Sequence, residues 1–185
     1  MSQKLVERLR QQFGADILAT DSQHGDESVT VPRDKLTAVV AHLRDREACE
    51  QLSDVVGVHY PERDEEFEVV YLLRSWEKNH RIQVRVRTDE DEPVPTLSGL
   101  YRSANWAERE VYDMFGVTFA DHPDLRRILC HHQFEGHPLR KDYPIEQGQE
   151  CTRPEKLFDD EDIARAARRA TSQAADVHGA IDEVH

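Results

Sequence analysis

FEVVYLLRSWEKNHRIQVRVRT, Phe67 to Thr88, sets the frame for the rest of the chain. Its first part, FEVVYLLRS, is apolar at consecutive positions, which marks a central strand with both faces covered. Its last part, RIQVRVRT, alternates: Ile82, Val84 and Val86 point one way, Arg81, Gln83, Arg85 and Arg87 the other. That pattern belongs to a half-buried strand with a basic outer face. SWEKNH between them is short enough for a hairpin connection.

Working outward, SDVVGVHYP upstream reads as another strand, ended by Pro61. Nearer the start, QKLVERLRQQF places Leu5, Val6, Leu9 and Phe13 at helical spacing, with Gly14 as a stop. ILATDS and ESVTV are two short strands around a polar loop, Gln23 to Asp26. DKLTAVVAHLRDREAC carries the stripe Leu36, Val39, Val40 and Leu43, with Asp34 as a candidate cap. Helix, two strands, helix, three strands and a further helix make an α+β fold: an antiparallel or mixed sheet with helices packed on one face.

The last of those helices is NWAEREVYDMF, from Asn105 to Phe115. Ser103 or Asn105 can cap it, Asn105 having Glu108 three residues on at capping-box spacing, and Gly116 is placed to end it. Ala104, Ala107, Val111, Met114 and Phe115 share the face expected on the sheet. Trp106, Arg109, Glu110 and Asp113 fall opposite; the carboxylates Glu108, Glu110 and Asp113 read as a solvated cluster, and Trp106 as an anchor buried beneath the following chain or in a partner interface.

After Gly116 the periodicity is lost, and the chain is interrupted by Pro123, Pro138, Pro144 and Pro154. A long irregular segment of this kind signals function or docking. The expected division is therefore a globular domain over 1–119, an extended partner-docking arm over 120–154 and a tail over 155–185. The tail reads as a short helix, with Asp159 to Asp162 at its start and Arg165, Arg168 and Arg169 further on, a polarity that suits the helix dipole.

Composition narrows function. The formal charge of −13 is wrong for a general nucleic-acid binder, which needs a cationic face against phosphate. No apolar run approaches the length of a membrane span, and the N-terminus lacks the apolar centre of a signal peptide, so the chain is expected in the cytoplasm. Cys49, Cys130 and Cys151 are scattered, without the spacing of a cluster or zinc ribbon. His122, His131, His132 and His137 lie near Cys130, but none forms a helical ligand pair, and His122 and His137 each precede a proline. Polar turn residues are the expected role. No nucleophile elbow, phosphate loop or H-E-x-x-H motif is present, so no catalytic residue is assigned. Arg126, Arg127, Arg140 and Lys141, with Asp124 and Asp142, read as charge pairs that fix the register of the arm.

NWAEREVYDMFGVTF at 105–119, HPDLRRIL at 122–129 and GHPLRKDYP at 136–144 together resemble the C-subunit family of proton-pumping NADH:quinone oxidoreductase, respiratory complex I. The resemblance implies a hydrophilic peripheral-arm subunit that binds no flavin, cluster or quinone, FMN and iron–sulfur clusters residing in other subunits. It implies packing against the D subunit, with the B and I subunits nearby, and a peripheral position on the cytoplasmic face of the cell membrane. The assembled enzyme passes electrons from NADH to quinone and couples this to proton translocation. Carried onto this chain, the motif positions expected at the docking surface are Trp106, Glu108, Arg109, Asp113, His122, Asp124, Arg126, Arg127, His137, Arg140, Lys141 and Asp142. Two alternatives stand beside this one: a homologous subunit of a membrane-bound hydrogenase-type complex, and a metal-dependent hydrolase built on the His-rich loop.

Overall fold

A computed structural model describes residues 3–23, 25–146 and 149. The expected C-terminal helix of 155–185, and the end of the arm, lie outside the described residues. In chain order the elements are α1 (Gln3–Phe13), β1 (Ala19–Gln23), β2 (Asp26–Thr30), α2 (Arg33–Glu47), β3 (Gln51–His59), β4 (Phe67–Ser75), β5 (His80–Thr88), β6 (Val94–Pro95), α3 (Ala104–Phe115) and β7 (Phe119–Ala120). A 3-10 turn over Gly14–Asp16 follows α1.

The main sheet has the order β1-β2-β5-β4-β3. β4 is interior, as its two apolar faces require, and pairs antiparallel with β5 from Phe67 opposite Thr88 to Ser75 opposite His80. β2 runs parallel to β5, with Val29 opposite Val84. The sheet is therefore mixed. Short connections alone favour antiparallel pairs; here α2 and the β3–β4 hairpin carry the chain from β2 to β5, a connection long enough for the parallel register.

Register fixes which residues share a face. Val55, Gly57 and His59 of β3 lie beside Tyr71, Val69 and Phe67 of β4, which lie beside Val84, Val86 and Thr88 of β5. This is the face under the helices. Val29, Val69, Tyr71, Val84 and Val86 are fully buried there with Leu5 and Leu9 of α1 and Leu36, Val39, Val40 and Leu43 of α2. Gly57 is where α3 crosses closest: a Cβ on it would stand 2.6 Å from the Phe115 ring and 3.1 Å from Val111. Any side chain there would displace the Phe115 ring and crowd Val111.

α1 is tied to the end of α2 by a two-pronged bridge, Arg8 Nε donating to Glu47 Oε1 at 2.7 Å and Nη2 to Oε2 at 2.6 Å. Two local expectations fail at helix starts. Pro32, not Asp34, occupies the cap of α2. Ser103 occupies that of α3 without a side-chain cap bond, because its hydroxyl donates instead to Leu52 O of β3 at 3.0 Å. The small parallel pair β6–β7, Val94 opposite Phe119, was not legible from two-residue strands.

Candidate partner interface

α3 ends at Gly116, whose φ of +83° closes the helix in the left-handed form as expected. A helix leaves its last carbonyls without intrahelical partners and concentrates partial negative charge there. The donors come from Gly116 itself and from the segment after β7. Gly116 N–H reaches Tyr112 O at 2.8 Å. His137 Nδ1 donates to Asp113 O at 2.9 Å, Leu139 N–H to Met114 O at 3.1 Å, and Arg140 Nε to Phe115 O at 2.6 Å. The block GHPLRKD is therefore a cap for α3, delivered from about twenty residues downstream of the helix end. Gly116 is obligatory in a second sense: a Cβ would meet Arg140 Nη2 and, at 2.7 Å, the His137 ring.

Asp113 is the pivot. Its Oδ1 accepts from Arg127 Nη1 at 2.7 Å, while Oδ2 accepts three successive backbone N–H groups, Ile128 at 3.0 Å, Leu129 at 2.8 Å and Cys130 at 2.8 Å. Burial pushes this carboxyl up, but the Cys130 N–H, the Arg127 guanidinium and the Leu129 and Ile128 N–H groups outweigh it. The net result is below the usual aspartate range. Arg109, one turn earlier, donates from Nε to Arg126 O at 3.0 Å and from Nη2 to Arg127 O at 3.2 Å. HPDLRRIL is thus wrapped around two charged side chains of α3.

This overturns the reading of the polar face of α3 as solvated. Glu108 and Asp113 have no exposed surface and Arg109 is 8% exposed. The arm is the layer that covers Arg109 and Asp113. Glu108 does not reach back to a cap either: Oε1 accepts Leu97 N–H at 2.7 Å and Oε2 lies 2.5 Å from the Thr96 hydroxyl. Burial pushes its carboxyl up to about 7, against the opposing effect of those two hydrogen bonds. His122, its side chain fully buried, lies 3.8 Å from Glu108 Oε2. It donates from Nε2 to Asn105 O at 3.1 Å and accepts Asp124 N–H on Nδ1 at 3.1 Å. Those two bonds place the ring N–H on Nε2.

The expected charge pairs are rearranged as well. Arg126 does pair with Asp124, at 3.0 Å. Arg127 turns inward to Asp113, and Arg140 reaches Glu90 at 2.9 Å while its guanidinium lies over the Phe67 ring. Lys141 contributes its backbone N–H, donated to His59 Nδ1 at 2.9 Å, and Asp142 approaches the same imidazole at 3.8 Å. His59, missed in the sequence because it reads as a strand residue, receives the arm near Lys141.

Trp106 does not lie beneath the arm; it is 68% exposed, with the Arg109 guanidinium over its ring, 5.9 Å from the centroid. Leu129, Leu139 and Ile145 of the arm are exposed too. Sequence reasoning passed over these three because they sit in a segment with no periodicity; large apolar residues in a proline-rich stretch were the available signal. The motif residues therefore separate into two groups. Glu108, Arg109, Asp113, His122, Arg127, His137 and Arg140 are used within the chain, most of them to hold the arm to the domain. Trp106, Asp124, Arg126, Lys141 and Asp142 are exposed.

The family model for the respiratory-chain NADH dehydrogenase 30 kDa subunit matches residues 29–149. The chain belongs to that family. The NADH-quinone oxidoreductase C subunit of Paramagnetospirillum magneticum is 48% identical over 144 residues, 76% of this chain and 72% of that protein. The C subunit of Novosphingobium aromaticivorans is 51% identical over 133 residues, 72% of this chain but 43% of the relative. That of Maricaulis maris is 52% identical over 124 residues, 66% and 62% of the two chains. The chain thus spans about half the length of some curated relatives it matches. A chain in the solved structure of an archaeal membrane-bound sulfane sulfur reductase superposes with a TM-score of 0.66, over 78% of this chain and 86% of that one. At 24% identity, that likeness speaks to the fold.

In this 30 kDa-family chain, the His-rich loop runs from Cys130 to Phe134. Among the described residues, no group of three or more His, Cys, Asp or Glu comes together as a metal site. The rings of His131 and His132 pack 4.2 Å apart, and His131 Nδ1 accepts Gln133 N–H at 3.2 Å. Among the described residues, no helix is long and apolar enough to cross a membrane.

Proposed function

We propose that this chain is a hydrophilic peripheral-arm subunit of NADH:quinone oxidoreductase, acting in the transfer of electrons from NADH to quinone coupled to proton translocation. Its part is structural: it presents a docking surface, and no residue of it is catalytic. The observation that supports this is the use made of the family motifs. Most of their charged residues are spent inside the chain, fastening the arm over α3, which leaves Trp106, Leu129, Leu139 and Ile145 exposed on α3 and the arm. Exposed large apolar side chains beside arginines are the composition of a protein interface. The D subunit is the proposed main partner, with the B and I subunits nearby, at the cytoplasmic face of the cell membrane and joined to it through the complex. Residues 120–154 serve as the docking arm.

Trp106→Ala tests this reading. An exposed ring contributes little to folding, so the variant chain should unfold within about 1 kcal/mol of the parent. Recovery of intact complex in mild detergent should fall about tenfold or more, as for loss of an interface hot spot. Undiminished recovery would remove Trp106 from the interface.

The chain is also proposed to hold no redox centre, since its cysteines lack cluster spacing and Cys49 is buried with its thiol pushed up to about 12 by burial. The purified chain should contain neither stoichiometric iron nor flavin by metal analysis and absorption. A stoichiometric cluster would overturn this.

A further inference from the structure

Glu108 and His122 stand side by side with both side chains fully buried, and one N–H there has a choice of two acceptors. Glu108 Oε1 is taken by Leu97 N–H at 2.7 Å. Oε2 is approached from two sides: the Thr96 hydroxyl oxygen is 2.5 Å away and His122 Nε2 is 3.8 Å away. The second distance is too long for a hydrogen bond, and the Nε2 proton goes to Asn105 O at 3.1 Å instead. A buried carboxylate would draw that N–H to itself, because a charge-assisted bond is roughly twice as strong as one to a neutral carbonyl. The observed spacing therefore fits a protonated Glu108 whose O–H on Oε2 donates to Thr96. The Thr96 hydroxyl is placed for this: it accepts Ser98 N–H at 3.1 Å and has Ser98 Oγ at 2.9 Å to take its own proton.

The alternative bond costs the helix little. Asn105 lies in the first turn of α3, where helical geometry already pairs its carbonyl with the Arg109 N–H. Tilting the His122 ring toward Oε2 carries the start of the arm with it, since Nδ1 accepts Asp124 N–H at 3.1 Å. Trp106 follows Asn105 directly. Arg109 joins the two sides, its guanidinium 5.9 Å from the Trp106 ring centroid and 3.9 Å from Asp124 Oδ2.

Each element packed here presents a titratable group. From β4 comes the Tyr71 phenol, held well above the usual tyrosine range by burial first and Glu108 second; its hydroxyl has no hydrogen-bond partner among the described residues. From β3 comes His59, engaged by the Lys141 N–H and Glu66. From the arm comes Asp124, met by Arg126 at 3.0 Å. Burial raises the Glu108 carboxyl to about 7, so its two states exchange close to neutral pH.

We propose that Glu108 and His122 form a proton-operated latch between α3 and the arm. His122 holds Asn105 while Glu108 is protonated, and is drawn onto Glu108 when that proton is given up to solvent. The latch sets the spacing of Trp106 and Asp124, and so the grip of the α3–arm face on its partner. The closed state grips more tightly, because tying the arm to the first turn of α3 preorganises that face. The control of docking rests on the reading of this face as a partner interface; the latch itself does not.

The latch is tested on the full chain labelled with nitrogen-15. Between about pH 5.5 and about pH 8.5, the His122 Nε2 and Trp106 indole signals should move in one common step with a midpoint near 7. The step should be absent in Glu108→Gln, which keeps the protonated geometry. Signals that do not move, or that move as much in the variant, overturn the latch. If Glu108→Gln does not fold, the parent decides alone: its infrared carboxylic-acid band must vanish in the same step, and a band that persists through it overturns the latch as well.

The control of docking is tested on the complex, extracted in mild detergent at about pH 6 and at about pH 8.5. Retention of the parent chain should fall about fivefold or more at the higher pH, while Glu108→Gln is retained alike at both. Equal loss for parent and variant, or loss for neither, overturns this control. Trp106→Ala keeps the two failures apart, since it lowers recovery at either pH if the face is an interface, whatever the latch does.

Discussion

Asp113→Ala should release the arm from α3 and lower folding stability by about 3–5 kcal/mol, the cost of breaking a buried, hydrogen-bonded charge pair from one side. The carboxylate is fully buried and accepts from Arg127 and from the N–H groups of Ile128, Leu129 and Cys130. Removing it leaves a guanidinium and three amides facing one another with no acceptor between them. Asp113→Asn should be milder, since its amide oxygen can still accept from one side of the nest.

The pH dependence follows from the depressed carboxyl. Its contribution is fully present above the ordinary aspartate value of 3.8 and is lost as pH falls through the lower folded value. Thermal unfolding measures the loss, and trypsin offers a second readout. The bonds after Arg126 and Arg127 should be cut at least about tenfold faster once the arm opens. Parent-like stability together with parent-like cleavage at these arginines would show that the arm is held by something other than Asp113.

Glu108 should behave in the opposite sense. Its carboxyl is fully buried and raised from 4.5 to about 7. A raised carboxyl binds its proton more tightly in the folded chain than in the unfolded one. Its contribution is therefore most favourable below about 4.5 and is lost as pH climbs through about 7. Over that window the shift is worth on the order of 3 kcal/mol. Glu108→Gln keeps an acceptor for Leu97 N–H and places a donor toward the Thr96 hydroxyl, without a charge to bury. The variant should unfold at higher temperature than the parent at pH 8, and the difference should shrink toward pH 5. A variant less stable than the parent at pH 8 would mean that the ionised carboxylate is needed for the β6–α3 connection.

Much of this molecule could be read along the chain. The two-sided apolar run of β4 and the alternation of β5 determined a layered α+β fold with β4 inside. The stripes of α1 and α2, and Gly116 as the end of α3, were equally local. Each of those signals is written within one element, where spacing alone says which side chains share a face.

What tertiary structure decided was the fate of the polar face of α3. Helical periodicity counts Glu108, Arg109 and Asp113 as outward, and outward usually means solvent. Their partners are largely backbone N–H and C=O groups of residues 97 and 126–130, and nearly every residue type carries those groups. A segment without periodicity of its own thus became the lid on a charged face, and Trp106, expected either beneath that segment or in a partner interface, was left exposed beside it. The parallel register of β2 on β5 and the β6–β7 pair were decided in the same way. Both depend on which distant backbone comes to lie alongside, and a pairing between backbones leaves almost no trace in the side chains that spell the sequence.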